Sequence, residues 1–233
     1  MARPLPQTLF LDACVLYPAP IRDLFMGLAL EGLVRLKWNR RVQEEWIHNL
    51  LQDRPDLTPE QQARIRATPE KMKEVLAFQE PLVEGYESLV EKIQLPDAND
   101  RHVVAAAWWG KAEAILTFNL KDFPEEELGR WELLALHPDD YLTELAERLI
   151  RKNFLPDPLL RVLKRQRCAL RKPPLGVEDF LEILRRAGLA TLPTGGCALP
   201  PPPAPEGAAH GGPGPRGAPG FSPAPGGLSP GPR

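Results

Sequence analysis

Apolar residues along this chain fall into two rhythms. Four short, nearly unbroken runs, TLFLDACVL (8–16), LVRLKW (33–38), AEAILTFN (112–119) and WELLALHP (131–138), have the length and composition of buried strands. The strand part of the first ends near Asp12. Between the runs, apolar residues recur at spacings of three to four. Pro18 and Pro20 lead into a helix through residues 21–26. Asn39 is placed to cap a helix whose buried stripe is Val42, Trp46, Ile47 and Leu50. Residues 58–94 read as a helical hairpin broken at Thr68-Pro69, where the threonine caps a new helix with proline in its first turn. Strands alternating with helices predict an α/β fold, a mainly parallel sheet flanked by helices on both faces.

Beyond residue 138 the strand rhythm stops. Residues 139–190 carry only helical periodicity, in YLTELAERLIRK, PDPLLRVLKRQRCALRK and GVEDFLEILRRAGL, and predict three helices with Gly188 closing the last. From Pro193 onward, 13 Pro and 11 Gly leave too little apolar surface to offset the entropy of ordering. The expected organisation is therefore an α/β domain over 1–138, a helical extension over 139–190 and a disordered Pro/Gly-rich tail over 191–233.

Charge narrows the partners. The balance of 29 basic and 31 acidic residues gives no global field toward nucleic acid or lipid, so a nucleic-acid partner must be met locally. The densest basic strip is Arg161, Lys164, Arg165, Arg167, Arg171 and Lys172, with no acid among them. The ordinary reading of such a strip is a solvated helix face; the functional one is neutralisation of RNA phosphates. Three dispersed cysteines, Cys14, Cys168 and Cys197, exclude a disulfide framework and structural zinc, and imply a reducing compartment. The N-terminus lacks a signal-peptide pattern and no window has the ~20 apolar residues of a membrane span, so a cytoplasmic protein with no membrane association is expected.

The candidate chemistry lies in the acids. In LPDANDRHVVAAA, Asp97 suits a helix cap and Asp100 a first-turn position favoured by the helix dipole. Singly, Asp12 and Asp122 read as turn formers, and Glu45 (or Glu44, one position earlier) as a solvated helical acid. Jointly they read differently. Ligands in open α/β sheets bind beyond the carboxyl ends of the strands, and acids gathered there repel one another unless a cation joins them. An oxygen-only donor set favours Mg²⁺ or Mn²⁺, whose chemistry on phosphodiesters requires no protein nucleophile.

The set LFLDACVL, QEEW, LPDANDRHVVAAA and TFNLKDF resembles the PIN domain, in the branch containing VapC-type toxins of toxin–antitoxin modules; residues 139–190 resemble the helical extension of a longer subgroup. The resemblance implies a metal-dependent endoribonuclease with catalytic and metal-binding acids at Asp12, Glu45, Asp100 and Asp122, with Asp97 as an accessory ligand. Asn119 and Thr117 would support the site by hydrogen bonding. It also implies an RNA substrate, a protein antitoxin and a homodimer. Ala13-Cys14 stands where many members place Ser, Thr or Asn two residues after the first acid, which predicts weaker polar support for Asp12.

Two other readings stay open: a nuclease-like fold that only binds RNA or protein, and a haloacid-dehalogenase-type phosphatase, which would need an acid where Cys14 stands. His102, two residues past Asp100, is expected at the surface or against substrate. Of the adjacent Trp108 and Trp109, one is expected to pack internally and the other at an interface, while Trp46 belongs to the core.

Overall fold

The structure, a computed structural model, describes residues 4–153, 157–170 and 175–191. The expected tail over 191–233 lies, apart from Thr191, outside the described residues. Five parallel strands form one sheet: β1 (Thr8–Leu11), β2 (Arg35–Asn39), β3 (Leu82–Val83), β4 (Ala114–Leu116) and β5 (Leu134–Leu136), in the order β3-β2-β1-β4-β5. Leu9, Phe10 and Leu11 of the central strand are fully buried, as expected of a strand covered on both faces.

Helices α1 (Ala13–Leu16) and α2 (Ala19–Leu30) follow β1. Helix α3 (Arg40–Asp53) follows β2, and α4 (Pro59–Arg66) and α5 (Thr68–Val75) follow in turn. Asn39 caps α3 as its sequence suggests, accepting the amide of Val42 at 2.8 Å. Trp46 is buried, with the Arg22 guanidinium 4.8 Å from its ring centre.

The hairpin expected over 58–94 is only partly helical. After α5 the chain makes a 3-10 turn over Ala77–Gln79, enters edge strand β3, then runs through a 3-10 segment over Glu87–Lys92. Two local features end the helix: Glu80 takes a left-handed backbone (φ 49°) and Pro81 follows it. The side chain of Gln79 then donates to the carbonyls of Ala29 and Val34 and accepts the amide of Leu36, fastening this segment to the sheet. Thr68 does not cap α5; its hydroxyl donates back to the carbonyl of Arg64.

Helix α6 (Arg101–Trp109) precedes β4, and α7 (Glu125–Arg130) precedes β5. Neither tryptophan of the 108–109 pair is buried: Trp108 is 43% and Trp109 49% exposed, Trp108 meeting Trp131 edge to face at 5.6 Å. Both sit on the last turn of α6, where the helix clears the core that its preceding Val103–Ala107 stretch fills.

The three C-terminal helices are α8 (Pro138–Asn153), α9 (Asp157–Ala169) and α10 (Val177–Arg186), and they pack with the sheet domain as one compact unit. Helix α9 lies along α2 so closely that a Cβ on Gly27 would fall 2.6 Å from Val162. After α10, Gly188 (φ 113°) sits against the Phe118 ring, where a Cβ would fall 2.6 Å from Cε1. No helix among the described residues is long and apolar enough to cross a membrane.

Candidate functional site

The strand order reverses between β1 and β4, and the crevice beyond their carboxyl ends is where an open α/β sheet receives a ligand. Asp12 is the first residue past β1 and Thr117 the first past β4. The Asp12 amide bonds to the carbonyl of Leu116, so the two strands deliver these residues side by side.

Asp12 is 7% exposed. Its Oδ1 accepts the Ala13 amide at 2.6 Å, and its Oδ2 accepts the Thr117 hydroxyl at 2.7 Å and the Cys14 thiol at 3.1 Å. The weaker support predicted from Ala13-Cys14 is thus corrected: Cys14 occupies the donor position and its S–H fills the role. Burial and then the Asp12 charge push the Cys14 thiol well above its ordinary range, so it stays protonated and donates. Its sulfur in turn accepts the Phe118 amide at 3.3 Å. Burial pushes the Asp12 carboxyl up; the three hydrogen bonds oppose that, and Glu45 adds to it.

Thr117 is fully buried and both roles of its hydroxyl are used, donating to Asp12 and accepting the amide of Asn119 at 3.0 Å. Asn119 therefore meets Thr117 through its main chain, while its side chain is exposed and has no hydrogen bond among the described residues.

Asp100 precedes α6. It makes no capping hydrogen bond; Asp97 does the local capping, accepting the Asn99 amide at 2.8 Å. Partial burial raises the Asp100 carboxyl to about 7, with further contributions, in falling order, from Asp12, Asp97, Asp122 and Glu45. Four acids from around the crevice thus act on Asp100, and Glu45 also acts on Asp12; four separate segments supply the five. Glu45, not Glu44, faces it: Glu44 is exposed on the other side of α3, in a shallow hollow with His48. Glu45 Oε1 lies 3.1 Å from Arg41 Nε and 3.1 Å from His102 Nε2.

The crevice presents carboxylate oxygens, the donor type that hard divalent cations take, and the neighbouring charges add to what burial does at Asp100. Asp12, Glu45, Asp100 and Asp122, with Asp97 at the margin, are the side chains able to hold such a cation. Among the described residues no three potential ligands stand at ligating spacing.

Three features escape sequence reasoning. His102 is 1% exposed and packs inward, contrary to the surface position expected of it, because the face of α6 two residues past Asp100 meets Asn39 at the end of β2. Glu127, also buried, accepts the Gln94 amide at 3.0 Å, the Trp131 indole N–H at 3.2 Å and the Arg130 guanidinium at 3.0 Å, anchoring the approach to Asp97. The basic strip, thirdly, is partly neutralised within the molecule. Arg161 and Arg165 both bind Glu31 at the end of α2, holding its carboxyl below the usual range, and Arg167 donates to the carbonyl of Leu175. Lys164 is exposed without such a partner, and Arg171 and Lys172 lie outside the described residues.

Comparison with known proteins places the C-terminal block. Residues 138–192 match the family model of the VapC50 C-terminal domain. The chain is 45% identical over 60 residues to a protein of Mycobacterium tuberculosis described as putative ribonuclease VapC50, a match covering 26% of this chain and 35% of that protein. The match thus spans about a third of the relative's length. No solved structure matches.

Proposed function

We propose that this chain, VapC-like by sequence and with the parallel α/β sheet expected of a PIN domain, is a Mg²⁺- or Mn²⁺-dependent endoribonuclease and the toxin of a two-component module. One observation carries the reading: Asp12, Glu45, Asp97, Asp100 and Asp122 come from four separate segments, and the other four all raise the Asp100 carboxyl at the β1/β4 crevice. Asp12, Glu45, Asp100 and Asp122 would hold the ion, with Asp97 accessory. A bound divalent ion supplies an activated water and charge neutralisation at the phosphoryl oxygens. The chain's own contribution is orientation. Thr117 and Cys14 fix Asp12, α3 carries Glu45, and the short segments around Asp97–Asp100 and Asn119–Asp122 carry the other acids. The putative ribonuclease name of the M. tuberculosis relative supports the ribonuclease part of this reading.

The partners follow from that reading: an RNA substrate, an antitoxin protein and a second copy of the chain, in the cytoplasm. With Arg161 and Arg165 engaged by Glu31 and Arg167 donating to the Leu175 carbonyl, Lys164 is the described residue of the basic strip offered to RNA; Arg171 and Lys172 are expected to join it. A second reading, a PIN-like fold that binds RNA without cutting it, is favoured by the absence of three acids at ligating spacing among the described residues.

The two separate in one assay. Purified chain is incubated with RNA and Mn²⁺ beside Asp12→Asn and Asp100→Asn. Cleavage by the wild type, lost with EDTA and in both variants, is the expected result. Equal behaviour of all three proteins would discard the nuclease in favour of the binding module.

A further inference from the structure

Two fully buried polar side chains beside the crevice have no part in the scheme above: Asn39 at 0% and His102 at 1% exposure. Their hydrogen bonds determine each other. Asn39 Oδ1 accepts the Val42 amide at 2.8 Å, which fixes which end of the Asn39 amide is oxygen. Its nitrogen therefore faces His102, 3.0 Å from Nδ1 and 3.3 Å from the His102 carbonyl. An amide nitrogen only donates, so Nδ1 accepts and the ring proton sits on Nε2.

That Nε2 is 3.1 Å from Glu45 Oε1 but off the line of a hydrogen bond, and it is one of the buried polar atoms with no partner. A buried N–H left unmatched is costly, and Glu45 is the acceptor in front of it. Arg41 Nε donates to the same oxygen, while Oε2 has no hydrogen bond among the described residues and the Glu45 charge acts on Asp12 and Asp100.

We propose that His102 is a positioning residue for Glu45, its Nε2–H, oriented by Asn39, steering one carboxylate oxygen so that the other turns toward the acids. The relay joins three elements: β2 through Asn39, α3 through Glu45, and α6 through His102. Since Asp100 directly precedes α6, the ring sets the second acid relative to the third. The proposal rests on the metal-dependent nuclease reading, with Glu45 as a ligand.

Two measurements test it. Nitrogen-15 NMR of the whole chain, which has four histidines, reads the tautomer directly: a protonated Nε2 is expected for His102, with its resonance moved by Glu45→Gln. A protonated Nδ1, or a resonance indifferent to Glu45→Gln, overturns the proposal. Mn²⁺ affinity, by electron paramagnetic resonance, and Mn²⁺-dependent cleavage are then compared in His102→Leu and His102→Gln. The leucine variant is expected to weaken Mn²⁺ binding by about 10- to 100-fold and to lower kcat with little change in KM for RNA. The glutamine variant recovers most of both, because its amide nitrogen stands where Nε2 was.

His102→Leu combined with Glu45→Gln should be no worse than Glu45→Gln alone. Wild-type affinity in His102→Leu, or additive losses in the double variant, also overturns the proposal. If His102→Leu does not fold, the glutamine variant and the tautomer decide. If the wild type neither binds Mn²⁺ nor cuts RNA, the nuclease reading falls, and the tautomer with its response to Glu45→Gln still judges the positioning.

Discussion

Replacing Asp100 with asparagine should make the metal-free protein more stable at pH 8. Partial burial and four neighbouring acids raise its carboxyl from 3.8 to about 7. The group is harder to ionise in the folded chain than in the unfolded one, so its ionisation opposes folding. Nothing is lost below about pH 3.8; the loss grows from there to about 7 and is complete above. The shift corresponds to roughly 4 kcal/mol at most, and since the carboxylate is only partly buried, solvent screening cuts this to roughly 2 kcal/mol.

Asp100 makes no capping hydrogen bond for asparagine to forfeit, but its charge at the start of α6 is favoured by the helix dipole by about 0.3–1 kcal/mol, which the variant gives up. The net expectation is a gain of about 1–2 kcal/mol at pH 8, or roughly 2–8 °C in Tm. By pH 3.5 the two proteins should agree within about 0.5 kcal/mol. Urea denaturation in EDTA at both pH values measures this. A variant no more stable than the wild type at pH 8, or a gain that persists undiminished at pH 3.5, would refute the idea that the acids repel one another here.

Two further perturbations probe the frame around the site. Gly188→Ala sets a methyl 2.6 Å from the Phe118 ring at a φ of 113°, a conformation L residues rarely adopt, and should cost about 1–3 kcal/mol in a thermal melt; an unchanged Tm would mean that α10 does not press on β4's exit as described. Thr117→Val removes the 2.7 Å donor to Asp12 and should cost about 1.5–3 kcal/mol by urea denaturation at pH 7, with equal midpoints for variant and wild type as the result that contradicts it.

Much of this was legible in the chain. Short apolar runs located β1, β4 and β5, of which β1 and β4 are buried on both faces, while β2 was marked by LVRLKW, where Arg35 and Lys37 interrupt the apolar residues. Asn39 as a cap and the stripe Val42, Trp46 were legible for α3, whereas Glu45 was singled out only by the family resemblance, with Glu44 as its fallback. Strand ends and helix starts are local events, so Asp12, Asp100 and Asp122 could be marked from their immediate neighbours along the chain. Strand β3 escaped notice because two residues hold no periodicity.

What tertiary structure alone decided is what depends on distant neighbours. Strand order put Asp12 beside Thr117, 105 residues away, and turned Cys14 from a missing polar group into a donor. Helix α6 shows apolar character nearly all round, so nothing local told which face would meet Asn39; only packing against β2 and α3 drew His102 inward. The basic strip looked free because its partner, Glu31, lies 130 residues upstream of Arg161 and meets it only when α9 settles along α2. Sequence sets propensity and the ends of elements, since those depend on a residue and its next few neighbours; pairing, burial and charge balance are properties of surfaces that exist only after the elements have met.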